Sequence, residues 1–204
     1  EKVTVAGSGG AVDVDVDGVI AAANMTFTVT GDQNVTLTGA SDSFTGSTIT
    51  QSGTGTLGLD LTTVATSDFS TATLGGGLKL SGTSAADAVI GVKSGTTVTI
   101  AADQDKDITF DANDSSNDST LTILANNDVN GADASIVTTD FDTVKITGAA
   151  TRVTTIEKLD MSANDAALTV ESTNDIKVDL TTSSGDLVVS GQKVTLTGAV
   201  DADG

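Results

Sequence analysis

Six stretches of this chain close in the same way, with a short apolar–polar alternation, a small residue and then Gly: KVTVAG from Lys2, NVTLTG from Asn34, GLKLSG from Gly77, TVKITG from Thr143, DLVVSG from Asp186 and KVTLTG from Lys193. Four of the closing glycines, Gly39, Gly82, Gly148 and Gly191, lie 43, 66 and 43 residues apart. Those intervals are close to two, three and two multiples of about 22. Gly7 and Gly198 fall outside the series. A second echo pairs DLTT at Asp60–Thr63 with DLTT at Asp179–Thr182. A fixed period of this length is the mark of a solenoid, in which each coil stacks on the one before. Coils of about 22 residues with two or three short strands make a parallel β-helix. Nine such coils at about 4.8 Å each form a rod of roughly 45 Å.

The local pattern agrees. In AVDVDVDGVI (Ala11–Ile20), Val12, Val14 and Val16 share one face of a strand and Asp13, Asp15 and Asp17 the other. Similar strands are predicted at 26–30, 34–38, 57–61, 77–80, 97–100, 107–110, 120–124, 143–146, 155–161, 167–170, 175–180, 186–189 and 193–197, separated by Gly, Asn, Asp and Ser turns. Helix is confined to one turn each in VIAAANM near Ile20 and SAADAVIGV near Ala86. Strands at this spacing also suit a β-sandwich, which stays open as the alternative. Sandwiches commonly bury Trp or Tyr and carry loop Pro; this chain has none of the three. The fold expectation is all-β, a parallel β-helix before a sandwich. The chain divides into a β-rich half, 1–102, and a repeat-rich half, 103–204, or runs as one continuous domain.

Composition narrows the chemistry. The net charge is −19, carried by 25 Asp and only three Glu among 204 residues. Asp favours turns where Glu favours helices. So negative a surface repels nucleic acid and anionic membranes, and no apolar run approaches the roughly 18 residues of a membrane helix. The chain opens at Glu1 without Met, which suits removal of a signal peptide or a segment of a longer protein. With no His and no Cys, Ser–His and Cys–His nucleophiles and the usual zinc sites are excluded. Paired carboxylates for glycoside hydrolysis remain, without the Trp or Tyr platforms that sugar sites generally use. The single Arg152 and eight Lys are too few for a lyase-like basic cluster. Gly75–Gly77 lacks the Lys-Ser/Thr of a phosphate loop. The chain is read as non-catalytic.

Calcium is the one ligand the residues argue for, because hard cations take carboxylate, amide and carbonyl oxygens. The richest region is 103–133, two acidic loops around one apolar strand. Its candidate ligands are Asp103, Asp105, Asp107, Asp111, Asn113, Asp114, Asn117 and Asp118, with a smaller set at Asn126, Asp128, Asn130 and Asp133. Asp13, Asp15, Asp17 and Gly18 begin like an EF-hand loop, but its twelfth position is Asn24 instead of Glu. Sequons at Asn24, Asn34, Asn113 and Asn117 are no more than a Ser/Thr-rich chain yields by chance.

The run Val153–Gly198, with Ile156, Glu157, Leu159, Asp160, Met161 and Ser162 ahead of Gly-ended strands, resembles the repetitive β-rich parts of bacterial S-layer proteins and large secreted adhesins. The resemblance implies an extracellular or cell-surface subunit of a lattice or fibre, often calcium-dependent. The nonapeptide of calcium-binding β-rolls is absent. The expected role is a structural surface protein that self-assembles through strand edges into an S-layer, sheath or filament, its partners being copies of itself and a cell-surface glycan, with Lys2–Val16 as a candidate donated strand. An adhesin stalk or binding domain is the alternative.

Overall fold

The structure, a computed structural model, describes residues 2–6, 9–17, 25–113, 118–131, 134–149, 151–161, 167–172, 175–182, 187–191 and 194–198. Its strands, in chain order, begin with β1 (Lys2–Ala6), β2 (Val12–Asp15), β3 (Thr26–Thr30), β4 (Val35–Ala40), β5 (Thr48–Ser52), β6 (Leu57–Thr63), β7 (Ser67–Phe69), β8 (Gly77–Leu80) and β9 (Ala88–Val92). They continue with β10 (Thr96–Ile100), β11 (Ile108–Asp111), β12 (Thr120–Ala125), β13 (Ile136–Thr139), β14 (Thr143–Gly148), β15 (Thr154–Asp160), β16 (Ala167–Ser172), β17 (Ile176–Thr182), β18 (Leu187–Gly191) and β19 (Val194–Gly198). One short helix, α1 (Ser41–Phe44), separates β4 from β5.

The even-numbered strands, β2 to β18, form one nine-stranded sheet. The odd-numbered strands form two sheets, β1-β3-β5 and then β7 to β19. The pairings within them are parallel, as between β4 and β6 or β11 and β13. The chain crosses from an even strand to an odd one and back, so the fold is a β-solenoid of about 7 turns with roughly 23 residues per coil. Eight spacings of about 4.8 Å make the nine-stranded face about 38 Å long. Pairing of β9 with β11 and of β10 with β12 carries both long sheets across residues 102–103.

Interior residues stack in register. In the nine-stranded sheet Val14, Leu37, Leu59, Leu78, Val98, Ile123, Ile146 and Val170 are successive rungs of one ladder. From Leu37 onward every rung is buried. Facing it, Ala88, Ile108, Ile136, Leu159 and Leu180 form a second ladder, also buried. Each Val, Leu or Ile so placed contributes about 1.5–3 kcal/mol, which is how a core forms with five aromatic residues in the chain, all Phe. Three of those are spent at one place. Phe44 of α1 packs between Phe27 of β3 (5.7 Å) and Phe69 of β7 (6.3 Å, edge-on), filling the coils where the three-stranded sheet adds a third side.

The closing glycines mark the corner where a strand leaves the nine-stranded sheet. A Cβ on Gly39 would stand 2.8 Å from Val16 Cγ2, and one on Gly82 would stand 1.9 Å from the Thr62 carbonyl oxygen. Their intervals count coils: β4 to β8 is two, β8 to β14 three and β14 to β18 two. Gly198 misses the series because it ends β19, on the other sheet. The two DLTT phrases likewise lie on different sheets, in β6 and β17.

Three expectations change. Ser84–Val92, read as a helical turn, contains β9: Ala88 and Ile90 point inward and Val89 outward, a two-residue period that the Ala content obscured. β5, β7 and β13 appear where turns were expected. The helix appears at Ser41–Phe44, where none was expected, because Phe44 has an interior slot to fill. The expected turn near Ile20 lies outside the described residues.

Candidate functional site

The acidic residues concentrate at the corners between sheets, and there the short reach of Asp finds a use. At a corner the ladder hydrogen bonds stop and the N–H groups of the turn lose their strand partner. An Asp in one coil supplies an acceptor to the coil after it. Asp87 Oδ1 accepts from the Asp107 N–H (3.3 Å), and Asp107 Oδ1 accepts from the N–H (2.8 Å) and hydroxyl (2.6 Å) of Ser135. In a parallel series Asp103 Oδ1 accepts from the Asp128 N–H (3.0 Å) and Asp128 Oδ1 from the Thr155 N–H (2.7 Å). Asn34 does the same for Thr56 (3.0 Å). Asp17 spans three coils, accepting from the Ala40 N–H (2.5 Å) and the Thr62 hydroxyl (2.9 Å). Glu is one methylene longer, so Asp suits a donor this close in the adjacent coil.

Arg152 closes the second series. Its guanidinium lies 2.6 Å from Asp128 and 3.9 Å from Asp103, and it also donates to the Asn127 side-chain oxygen. On the opposite side of the seven-stranded sheet, Asp142 Oδ2 accepts from the Ser119 hydroxyl and N–H, both at 2.8 Å. Those two donors hold the Asp142 carboxyl below its ordinary value of 3.8.

The proposed calcium ligands divide between two corners at opposite ends of β11. Asp103, Asp105 and Asp107 precede the strand; Asp111, Asn113 and Asp118 end or follow it. Asp103 and Asp107 are occupied as above. Asp111 accepts from the Asn113 N–H (2.8 Å), and Asn113, at φ +48°, directs its amide to the Ser70 hydroxyl (3.4 Å). Asp105 and Asp118 are exposed. Asp114, Asn117 and Asp133 lie outside the described residues, as do Gly18 and Asn24. Asn126 and Asn130 are exposed beside Asp128. Among the described residues no three carboxylates are arranged to hold a metal ion.

The corner's most buried polar residue carries no charge. Gln104 is fully buried. Its amide nitrogen donates to the carbonyls of Gly82 (2.9 Å) and Ala102 (3.0 Å), and its Oε1 accepts from the Ser84 N–H (3.2 Å). The side chain thereby replaces a main-chain rung between adjacent coils. Beyond it, main-chain bridges continue from Gln104 to Val129 and Ile156. No sequence signal distinguishes this Gln from a surface one, because its burial arises only when the corner closes.

No family model, curated protein or solved structure matches this chain. Among the described residues no helix is long and apolar enough to cross a membrane.

Proposed function

We propose that the chain is a structural, non-catalytic surface protein outside the cell, a rod whose parallel sheets propagate by adding further copies into an S-layer, sheath or filament. The observation that carries this reading is the state of the sheet ends. Among the described residues β2 and β18 each have a single neighbour, as do β1 and β19, so each terminal strand presents a row of main-chain donors and acceptors. Because the strands are parallel, a second copy translated along the axis meets β18 with its own β2 in parallel. Such head-to-tail contacts do not close and so make fibres.

The corner chemistry supports the same reading. Asp17, Asp87, Asp103, Asp107 and Asp128 are engaged as acceptors for the next coil, a task that favours rigidity. The candidate donated segment Lys2–Val16 holds β1, paired with β3, and β2, paired with β4, within its own chain, so in this reading assembly uses the outer edges of β1 and β2 and not an exchange. Attachment to a cell-surface glycan and calcium-assisted packing of the acidic surfaces belong to this proposal. A stalk in a longer adhesin uses the same open ends, joined to further coils of one polypeptide.

Sedimentation of the purified chain over a concentration series with calcium present, followed by negative-stain microscopy, tests it. Sheets or fibres that lengthen with concentration support self-assembly. A strict monomer at the highest concentration removes it and leaves the stalk.

A further inference from the structure

We propose that the outer face of the three-stranded sheet binds ice. β1, β3 and β5 pair without a bulge, so outward residues form a grid of three rows: Lys2, Thr4, Ala6; then Thr26, Thr28, Thr30; then Thr48, Thr50, Ser52. Within a row, alternate residues of a strand lie about 6.7 Å apart, and rows lie about 4.8 Å apart. The face therefore holds a rectangular net of hydroxyl and methyl groups, roughly 13 Å by 10 Å. The two repeats are close to the oxygen–oxygen repeats on a prism face of hexagonal ice.

Three features separate this face from an ordinary solvated sheet rich in Thr. First, it bears no acid on any of its nine outward positions, in a chain of net charge −19, and its one cation, Lys2, stands at a corner. The nine-stranded sheet, by contrast, interrupts its outward Thr with Asp13, Asp15, Asp60, Lys79, Lys145 and Glu171. A charged group orders water radially around itself and breaks a lattice; a Thr grid leaves the lattice intact. Second, hydroxyls are pinned from beneath: Thr50 donates to the Phe27 carbonyl (3.3 Å) and Thr30 to the Val5 carbonyl (3.5 Å). Pinning removes rotamer freedom before any contact with ice, which lowers the entropy cost of binding. Third, the hydroxyl pattern runs on past the last strand. In the following coil Thr71 and Thr73 are exposed while Ala72 and Leu74 are buried. They line a cleft of about 460 Å³ beside Thr50 and Gln51.

This property is independent of assembly and is read on the isolated chain. Ice growth is followed under a microscope with controlled cooling, and partition of the chain into a growing ice hemisphere is measured alongside. The native chain is expected to shape crystals, to hold a gap between freezing and melting, and to enter the ice. Thr28→Tyr, at the centre of the grid, and Thr48→Lys, at its exposed edge, are expected to bring both readouts to background while melting as the native chain does. Thr99→Tyr on the nine-stranded sheet is expected to keep them. Exclusion of the native chain from ice overturns the proposal, as does equal ice activity in all three variants. Binding to crystalline cellulose or chitin without ice shaping also overturns it and assigns the face to a polysaccharide.

Discussion

Replacing Gln104 by Leu tests whether a side-chain amide locks the middle of the rod. Leu has nearly the volume of Gln, so the change removes hydrogen bonds and leaves little cavity. Three are lost: the Ser84 N–H at 3.2 Å and the Gly82 and Ala102 carbonyls at 2.9 and 3.0 Å. Ser84 is buried, so its N–H is left without a partner, at about 2 kcal/mol. The carbonyls sit on half-buried residues that water reaches, and each costs about 0.5 kcal/mol. Burying an apolar side chain in place of an amide returns about 1 kcal/mol. The net loss is about 2 kcal/mol, equivalent to a Tm lower by roughly 4–8 °C for a chain of this size. Circular-dichroism melts measure the total, and amide hydrogen exchange locates it. Ser84 should lose protection first, and exchange should then spread to the coils on either side, because a solenoid is held by nearest-neighbour contacts. Gln104→Glu sharpens the test. Its carboxylate still accepts from Ser84 but turns lone pairs toward two carbonyls, so the acid is held protonated in the fold. Its penalty should therefore be small near pH 4 and grow toward pH 7. A Gln104→Leu chain that melts within one degree of native, with Ser84 still protected, refutes the reasoning.

Thr138 is fully buried and its hydroxyl has no hydrogen-bond partner, so Thr138→Val, which keeps the shape, should raise the Tm, by about 1 kcal/mol of stability. Asp128→Ala should cost about 2 kcal/mol by removing both the acceptor for Thr155 and the Arg152 partner, whereas Asp128→Asn should lose less because an amide oxygen still reaches the Thr155 N–H; chemical denaturation of both variants gives the ranking. The Asp142 carboxyl titrates below 3.8 in the fold, so its stabilisation is complete above that pH and fades as pH falls through the lowered value; the gap between native and Asp142→Asn melting temperatures should narrow between pH 5 and pH 2. If the corner carboxylates serve chiefly as acceptors for the next coil, calcium and magnesium at equal ionic strength should raise the Tm alike, and a calcium-specific rise of several degrees that EDTA reverses would place a true site in these loops.

The period of the rod was legible because every coil must solve one packing problem at one corner. Gly39, Gly82 and Gly148 recur where a Cβ would meet the neighbouring coil, so their spacing counts coils even though coil length varies. The interior ladders were legible for a related reason, since burial on one face imposes a two-residue alternation on Val, Leu and Ile. β5, β7 and β13 were not legible. Each is short, and each becomes a strand because a neighbouring coil offers it an edge.

The candidate site divides along the same line. Sequence alone determined the class of the molecule: an all-β chain with acidic turns, a solenoid favoured over a sandwich, lacking the His and Cys that most nucleophilic and zinc chemistry requires. Tertiary structure decided what the acids do. Asp103 and Asp128 lie 25 residues apart and Asp128 and Thr155 27 apart, intervals that mean nothing until coils stack. Stacking converts that separation into a hydrogen bond from one coil to the next, which is how Asp103, Asp107 and Asp128 come to serve as acceptors for main-chain N–H groups.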